Sequence, residues 1–213
     1  MKKDGFYKAL TADGVVIISP ETTFIDGCVQ IGAGTVIEPN NIIKGNSKIG
    51  RNVCLRAGNY IEDSVVGDEC EVLLSCLNNA NVGNKAHIGP FSHLRPESVV
   101  GAGCRIGNFV EIKKSVIGER TKIAHLSYVG DSRIGREVNI GCGVVTANYD
   151  GKHKHHTIIE DGAFIGSNVN LIAPVRIGAG AVVAAGSTIT EDVSPKSLAI
   201  ARVRQTNKED YRK

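Results

Sequence analysis

The chain contains no tryptophan, and aromatic residues make up only 5% of the sequence. This scarcity argues against a core built around large rings and favours a narrow interior filled by aliphatic side chains. Glycine, in contrast, is abundant, with 25 residues. Because glycine lets the backbone turn often, the composition favours a repeated fold made of many short elements.

Long apolar runs and a strong net charge are also missing. No run of about 18 apolar residues occurs, so no membrane-spanning helix is expected, and the N-terminus, MKKDGFYKAL, lacks the apolar stretch of a signal peptide. The formal net charge of +3 argues against nucleic-acid binding through a dense basic face but is compatible with a small phosphorylated ligand. We therefore expect a soluble, cytoplasmic protein without nucleic-acid or membrane partners.

Metal-ligand spacing is absent as well. The six cysteines form no C-x-x-C pair, so we interpret most of them as small buried residues in a reducing compartment. The tract KHKHH at 152–156 has no cysteine or carboxylate at ligand spacing, and a basic loop over an anionic ligand is the favoured interpretation. We expect no metal cofactor.

Aliphatic residues recur at every sixth position. The first series contains seven residues in phase: Ile25, Ile31, Ile37, Ile43, Ile49, Leu55 and Ile61. A period of six fits neither a helix nor an isolated alternating strand, but it fits a parallel β-helix in which three hexads close one triangular coil. The pattern predicts an all-β fold of about nine coils.

The phase of the repeat also divides the chain. We predict an N-terminal lead-in with a short helix over 1–24, the β-helix over 25–193 and a C-terminal tail over 194–213. The phase breaks between Ile140 and Ile159, where TANYDGKHKHH contains turn-forming residues. An extra loop is therefore expected near 146–158.

Several polar residues are not needed for the wall of such a prism. Arg95 and Lys113 are three hexads apart in the sequence, so one full coil should place two cations side by side. Like charges at that distance repel unless an anion binds them, which predicts a phosphate subsite.

His125 follows Lys113 by two hexads, which places it further around the same triangle. A histidine oriented by a carboxylate is a common general base near neutral pH. The five-residue step between Ile112 and Ile117 suggests that Glu111 reaches His125 by a hydrogen bond, directly or through one water. The alternative is that His125 is an ordinary surface histidine.

Specific motifs strengthen this interpretation: GNFVEIKKS, AHLSYVGD and NYDGKHKHHT, followed by FIGSNVNLIAPVRIGAGAVVAAGSTIT. With them, nearly the whole chain resembles the acetyltransferase half of the bacterial bifunctional N-acetylglucosamine-1-phosphate uridylyltransferase/glucosamine-1-phosphate acetyltransferases. These are hexapeptide-repeat transferases. The resemblance implies a left-handed β-helix, a homotrimer with sites at subunit interfaces, and acetyl-CoA as cosubstrate.

The resemblance also implies roles for individual residues. His125 corresponds to the general base, with Glu111 as its orienting partner. The sugar-phosphate pocket corresponds to Arg95, Lys113, Tyr128, Asn139 and Lys154. The acetyl-CoA site corresponds to Cys142, Asn148, Tyr149, Ser167, Ala185 and Arg202. Cys142 replaces the alanine usual in the family, a change of little consequence if the contact is through the backbone amide, and Arg204 replaces a proline, which affects the geometry of the tail.

The expected reaction is acetyl transfer from acetyl-CoA to the 2-amino group of glucosamine 1-phosphate, a step toward UDP-N-acetylglucosamine and peptidoglycan of the cell wall. Nothing in the sequence resembles the glycine-rich nucleotide-binding half of the family, so uridylyl transfer is not expected. Two alternatives remain. The acceptor is another amino-sugar phosphate or a nucleotide-linked amino sugar, or the chain is a non-catalytic trimeric subunit for a separate uridylyltransferase.

Overall fold

The chain folds into a three-faced prism of parallel strands. The structure is a computed structural model that describes residues 3–211. Its strands form one sheet of 19 strands and one of 9, and the ladders between them are parallel. The larger sheet comprises two faces, which join where Arg105–Lys113 and Lys122–Gly130 turn a corner without interruption. The predicted parallel β-helix is confirmed, with about ten turns rather than about nine.

Each face is a stack of short strands, one from each turn. Face 1 contains Val16–Ile17, Val36–Ile37, Cys54–Leu55, Glu71–Val72, His87–Ile88, the first parts of Arg105–Lys113 and Lys122–Gly130, Asn139–Ile140, Phe164–Ile165, Val182–Val183 and Leu198–Ala199. Face 2 contains Phe24–Ile25, Ile42–Lys44, Tyr60–Glu62, Cys76–Asn78, His93–Leu94, the last parts of the same two long strands, Val145–Ala147, Asn170–Ile172 and Thr188–Ile189. Face 3 contains Gln30–Ile31, Lys48–Ile49, Val65–Val66, Ala80–Val82, Ser98–Val100, Val116–Ile117, Ser132–Ile134, Thr157–Ile159 and Val175–Ile177.

The core is a set of aliphatic columns inside the prism. On face 2, for example, Ile112 lies between Leu94 below and Val129 above, and all three side chains are completely buried. Burying one such side chain contributes roughly 1.5–3 kcal/mol. The six-residue phase arises because each short strand directs one large side chain inward before the chain turns the next corner.

The ladder extends beyond both predicted boundaries of the β-helix. Val16–Ile17 already pairs with Val36–Ile37, and Leu198–Ala199 still pairs with Val182–Val183. Helix Lys3–Ala12 lies beside the first turn, where Tyr7 is buried and its hydroxyl donates to the Thr23 carbonyl oxygen at 2.8 Å. Among residues 3–211, no helix has both the length and the apolar character needed to span a membrane.

The break in the repeat is a folded hairpin between faces 2 and 3, with one antiparallel bridge joining Tyr149 to Lys154. The carboxylate of Asp150 organises it. Its Oδ1 accepts hydrogen bonds from the backbone N–H groups of Lys152 and His153, both at 2.7 Å, and its Oδ2 lies 2.7 Å from Nε2 of His155. These hydrogen bonds hold the pKa of Asp150 well below its ordinary value. The tract therefore forms a defined structure.

Candidate active site

The corner between faces 1 and 2 carries His125. The two long strands pass through this corner, where His125 pairs in register with Asn108. The next residues in these strands, Leu126 and Phe109, have left-handed backbone angles, with φ of 40° and 55°. These angles bend the chain around the corner, and the His125 side chain is left exposed.

Three of the residues implied for acetyl-CoA lie above His125 along the same corner. The pairing of Ile123 with Ile140 places Cys142 one turn above His125. A Cβ added to Gly141 would lie 2.7 Å from the backbone nitrogen of Ser167, and one added to Gly166 would lie 2.5 Å from that of Ala185. We call the stack of His125, Cys142, Ser167 and Ala185 the corner column.

Backbone donors are free along this column. Within the described residues, the N–H groups of Cys142, Ser167 and Ala185 donate no hydrogen bond, whereas the carbonyl oxygens of Cys142 and Ser167 accept from the turn above, at 2.7 and 2.8 Å. Exposed, fixed N–H groups are suited to bind a ligand carbonyl or a developing oxyanion. The corner column therefore offers donors beside an imidazole.

The predicted bond between Glu111 and His125 is not present in the described part of the chain. The long strand turns the corner at Phe109, so Glu111 lies on face 2 and pairs in register with Tyr128. Its carboxylate instead accepts a hydrogen bond from Nη1 of Arg95 at 2.7 Å. The five-residue step therefore does not bring Glu111 to His125, and the orienting role of Glu111 stays a prediction.

Three cations gather on face 2. The register that pairs His93 with Glu111 and Leu94 with Ile112 continues to Arg95 and Lys113, as their spacing of three hexads predicted. Lys154 comes from the hairpin, and its ammonium group lies near that of Lys113. This neighbouring ammonium lowers the pKa of Lys113, and desolvation and the Arg95 guanidinium lower it further. We call Arg95, Lys113 and Lys154 the cation cluster.

The remaining residues implied for the sugar phosphate lie on two different faces. Tyr128 is on face 2 beside the cation cluster, and its hydroxyl lies over Gly130, 2.5 Å from where a Cβ would be. Asn139 is on face 1, above Lys122, and lines a groove of about 500 Å³ there. One chain therefore brings Arg95, Lys113, Lys154 and Tyr128 together but separates them from Asn139 by the corner.

The other residues implied for acetyl-CoA surround the upper part of the site. Asn148 is 8% exposed at the base of the hairpin, whereas Tyr149 is 61% exposed. Arg202 comes from the C-terminal tail, and its Cδ lies 3.7 Å from where a Cβ of Gly186 would be. The tail therefore passes next to Ala185 at the top of the corner column.

One charged residue at this site is not among the predicted set. Asp131 is 6% exposed and accepts a hydrogen bond from the Asn148 amide. Counting three hexads from Lys113 does not give its register partner, because Lys113 pairs with Gly130; the signal that could have drawn attention to Asp131 is its place at the end of the motif AHLSYVGD. In the part of the chain that the structure describes, no group of three or more metal-ligating side chains occurs.

A wider groove, of about 640 Å³, lies on face 3, away from the corner column. Two of its arginines are already neutralised, because Arg136 pairs with Asp161 at 2.9 Å and Arg176 pairs with Glu160. The pKa of Glu160 is lowered by its bond to the Arg176 guanidinium, and that of Asp161 by bonds from the backbone N–H and then the guanidinium of Arg136. Two of the three arginines that line this groove are therefore paired with carboxylates.

Sequence comparisons identify hexapeptide repeats in this chain. A family model described as bacterial transferase hexapeptide (six repeats) matches residues 28–63 and 156–191. A second model, for the GMPPB C-terminal domain, matches residues 76–150. The hexapeptide model agrees with the six-residue periodicity of the folded chain.

Curated relatives match almost the whole chain. It is 54% identical over 204 residues to the bifunctional protein GlmU of Carboxydothermus hydrogenoformans, covering 96% of this chain and 46% of the relative. It is 55% identical over 199 residues to the bifunctional protein GlmU of Caldanaerobacter subterraneus subsp. tengcongensis, covering 93% and 44%. The chain thus spans less than half the length of these relatives.

Among solved structures, the Francisella novicida UDP-N-acetylglucosamine acyltransferase aligns with a TM-score of 0.56 at 22% identity, covering 87% of this chain and 67% of that one. The corresponding Arabidopsis enzyme aligns with a TM-score of 0.51 at 18% identity, covering 88% and 69%. At such identities the likeness shows the fold alone.

Proposed function

We propose that this hexapeptide-repeat chain, which is similar to about half of the bifunctional protein GlmU, transfers the acetyl group of acetyl-CoA to the 2-amino group of glucosamine 1-phosphate. One observation carries the proposal. An exposed imidazole and a row of free backbone donors lie at the corner where face 2 begins, and a cluster of three cations lies toward the end of the same face. An imidazole can accept a proton from an amine, the N–H groups can bind the carbonyl oxygen of a thioester, and the cations can bind a phosphate.

In this proposal, the phosphate of the acceptor binds to the cation cluster. Arginine and lysine form charge-assisted hydrogen bonds with phosphate oxygens, which are stronger than bonds between neutral groups. The Arg95 guanidinium is already fixed by its bond to Glu111, so less side-chain entropy is lost when the phosphate binds. This pre-organisation is the role that the structure suggests for Glu111.

The thioester of acetyl-CoA lies along the corner column, and His125 acts on the amine. The amine nitrogen forms a bond to the thioester carbon while His125 accepts the proton that the nitrogen loses. The C–S bond then breaks, and the departing thiolate takes a proton from the His125 imidazolium or from water. The negative charge that develops on the carbonyl oxygen is stabilised by a free N–H such as that of Cys142.

We also propose that the complete site forms between copies of the chain in a homotrimer. Asn139 lies across the corner from the cation cluster within one chain, and two adjacent copies could bring these groups to one acceptor. The prediction is a particle of three times the chain mass in size-exclusion chromatography with light scattering. A monomeric particle that retains full activity would contradict it.

The experiment that tests the activity is a substrate panel. Purified chain is mixed with acetyl-CoA and release of the free thiol is followed with glucosamine 1-phosphate, galactosamine 1-phosphate, glucosamine 6-phosphate, unphosphorylated glucosamine and a nucleotide-linked amino sugar. The highest kcat/KM is expected for glucosamine 1-phosphate. A higher value for another acceptor would support that acceptor instead, and absence of thiol release with all five would support a non-catalytic subunit.

A further inference from the structure

A buried carboxylate lies where the two candidate subsites meet. Asp131 follows Gly130 at the end of the second long strand and has a left-handed backbone, with φ of 48°. Its N–H donates to the Lys113 carbonyl oxygen at 3.0 Å, and its own carbonyl oxygen accepts from Nδ1 of His156 at 3.0 Å. The backbone of Asp131 thus connects the strand that carries Lys113 to the end of the hairpin.

The side chain of Asp131 holds the base of the hairpin. Its Oδ2 accepts a hydrogen bond from the amide nitrogen of Asn148, and both side chains are buried. The Asn148 carbonyl oxygen in turn accepts from the His155 N–H at 2.8 Å, across the hairpin. The position of the hairpin, and of Tyr149 on it, therefore depends on the carboxylate of Asp131.

The same carboxylate acts on the cation cluster. Its negative charge interacts with both Lys113 and Lys154, whose ammonium groups are near enough to shift each other's pKa. Two adjacent ammonium groups repel each other, and a nearby carboxylate in a partly buried position offsets that repulsion. Glu111, the other acid near the cluster, is occupied by Arg95 at 2.7 Å.

Close packing around Gly130 fixes the position of Asp131 relative to its neighbours. A Cβ at Gly130 would lie 2.5 Å from the Tyr128 hydroxyl oxygen and 2.8 Å from the amide nitrogen of Asn148. Tyr128 and Asn148 therefore both pack on the backbone immediately before Asp131. A displacement of Asp131 would shift residues assigned to both substrates.

We infer that Asp131 is a positioning residue that joins the two subsites: it fixes Asn148 for acetyl-CoA and keeps Lys113 and Lys154 close enough to bind one phosphate monoester. This inference rests on the proposed function. It goes beyond it by assigning to one buried carboxylate an effect on both substrates through different atoms. The negative charge of Asp131 affects phosphate binding, whereas Asn148 requires only an oxygen that accepts its hydrogen bond.

Two substitutions separate these effects. Asp131→Asn removes the charge but retains an oxygen that can accept the hydrogen bond from Asn148. KM for glucosamine 1-phosphate should therefore rise about 10-fold, which is the size of one partly buried charge interaction. KM for acetyl-CoA should change less than about 2-fold. Asp131→Ala removes the acceptor as well, so both KM values should rise. Thiol release at varied concentrations of each substrate provides the four constants.

Glu97 offers a matched control. It also has a left-handed backbone, with φ of 65°, but its side chain is exposed and pairs with Lys114 at 3.3 Å. Glu97→Gln should leave both KM values unchanged. Thermal melts followed by circular dichroism check that each variant is folded, and the isosteric Asp131→Asn carries the test if Asp131→Ala does not fold.

The outcomes distinguish this inference from the proposed function. Equal changes of both KM values in Asp131→Asn, or no change in either, would overturn the inference while leaving the activity intact. Absence of thiol release from the unmodified chain would overturn the proposed activity alone. In that case, calorimetric titration with acetyl-CoA and with inorganic phosphate still tests Asp131, because Asp131→Asn should weaken only phosphate binding. Failure of the unmodified chain to bind either compound overturns both.

Discussion

Two sets of charged residues lie on adjacent turns of the prism, but the signs of their charges are arranged in opposite ways. On the lower turns, Glu38 and Glu71 flank Arg56, each with a 2.8 Å ion pair, and Glu71 also lies 3.3 Å from Nδ1 of His87. We call these four residues the charge ladder. In the cation cluster, higher up, Arg95 and Lys113 are instead neighbours of the same sign, and Lys154 adds a third positive charge.

If the proposed function is right, this difference separates charge that the solenoid neutralises internally from charge that binds a ligand. Adjacent turns are about 4.8 Å apart, so residues in register always interact with the turns above and below. Alternating signs satisfy each other, as in the charge ladder, whereas like signs leave a surplus that an external anion can neutralise. For almost every residue of the candidate site, another turn of the repeat therefore carries a comparable residue whose substitution can serve as a control.

The largest expected difference between the two regions concerns their histidines. His125→Asn should reduce kcat by about 10²- to 10⁴-fold, the typical contribution of a positioned general base, because the amine then loses its proton acceptor. His87→Asn, in the charge ladder, should leave kcat unchanged. Thiol release at saturating concentrations of both substrates measures the two effects. Comparable activity in both variants would show that His125 is an ordinary surface histidine.

The next largest effect is on acceptor binding. Lys113→Met should raise KM for glucosamine 1-phosphate by roughly 10- to 100-fold, since a hydrogen bond to a charged group contributes about 1.5–3 kcal/mol. Arg56→Met removes a cation of the charge ladder whose partners are protein carboxylates, and it should leave this KM unchanged. Initial rates of the two variants, measured over a range of glucosamine 1-phosphate concentrations, give the two KM values to be compared. The phosphate subsite is wrong if both substitutions change KM equally.

A third difference is in pH dependence. The Lys154 ammonium lowers the pKa of Lys113, so Lys113 should lose its proton at a lower pH than an isolated lysine, and KM for the sugar phosphate should begin to rise there. Lys154→Met removes the main cause of the shift, although Arg95, Asp131 and Tyr128 still face the site. The alkaline rise in KM should therefore move to higher pH, even though binding at neutral pH is weaker.

The profile of kcat/KM against pH for the unmodified chain and for Lys154→Met measures this shift. Replacing Lys85, which pairs with Glu69 at 3.7 Å on lower turns, should not move the profile. An alkaline rise that stays in place in Lys154→Met would show that Lys113 does not control it.

How much of this could be predicted from the sequence depends on where the coil is regular. Ile37 and Ile43, identified by the six-residue phase, are fully buried, because a regular coil always returns them to the interior. The neighbourhood of Arg95 and Lys113 followed from the same regularity, since the coil between them consists of three complete hexads. Counting hexads is sufficient wherever each strand and corner has its standard length.

The relation between Glu111 and His125 could not be predicted in that way. The coil there is one residue shorter than three hexads, as the pairing of Glu111 with Tyr128 shows, and the chain bends at Phe109 and Leu126 within continuous strands. Left-handed backbone angles in large apolar residues carry no clear sequence signal. The proximity of Lys154 to Lys113 likewise depends on the folded hairpin, which the repeat does not describe.

The smallest expected effect tests the claim that the charge ladder is self-contained. Arg56, and then His87, hold the pKa of Glu71 below its ordinary value. Folding therefore favours the ionised form of Glu71. The resulting stabilisation is fully present above the pKa of a glutamate in the unfolded chain, and it is lost as the pH falls through the lower pKa of Glu71 in the folded chain. Because these pairs are substantially exposed, Glu71→Gln should reduce the free energy of unfolding by only about 0–1 kcal/mol near neutral pH.

Urea unfolding at about pH 7 and about pH 3 checks both the size and the sign of this effect, since the difference from the unmodified chain should disappear in acid once the carboxyl group is protonated. Glu209→Gln, in the exposed tail, provides the control. Acetyl transfer by Glu71→Gln should match that of the unmodified chain, because the ladder residues neutralise one another and leave no charge for a substrate. A loss of activity without a loss of stability would remove the distinction between the ladder and the cation cluster.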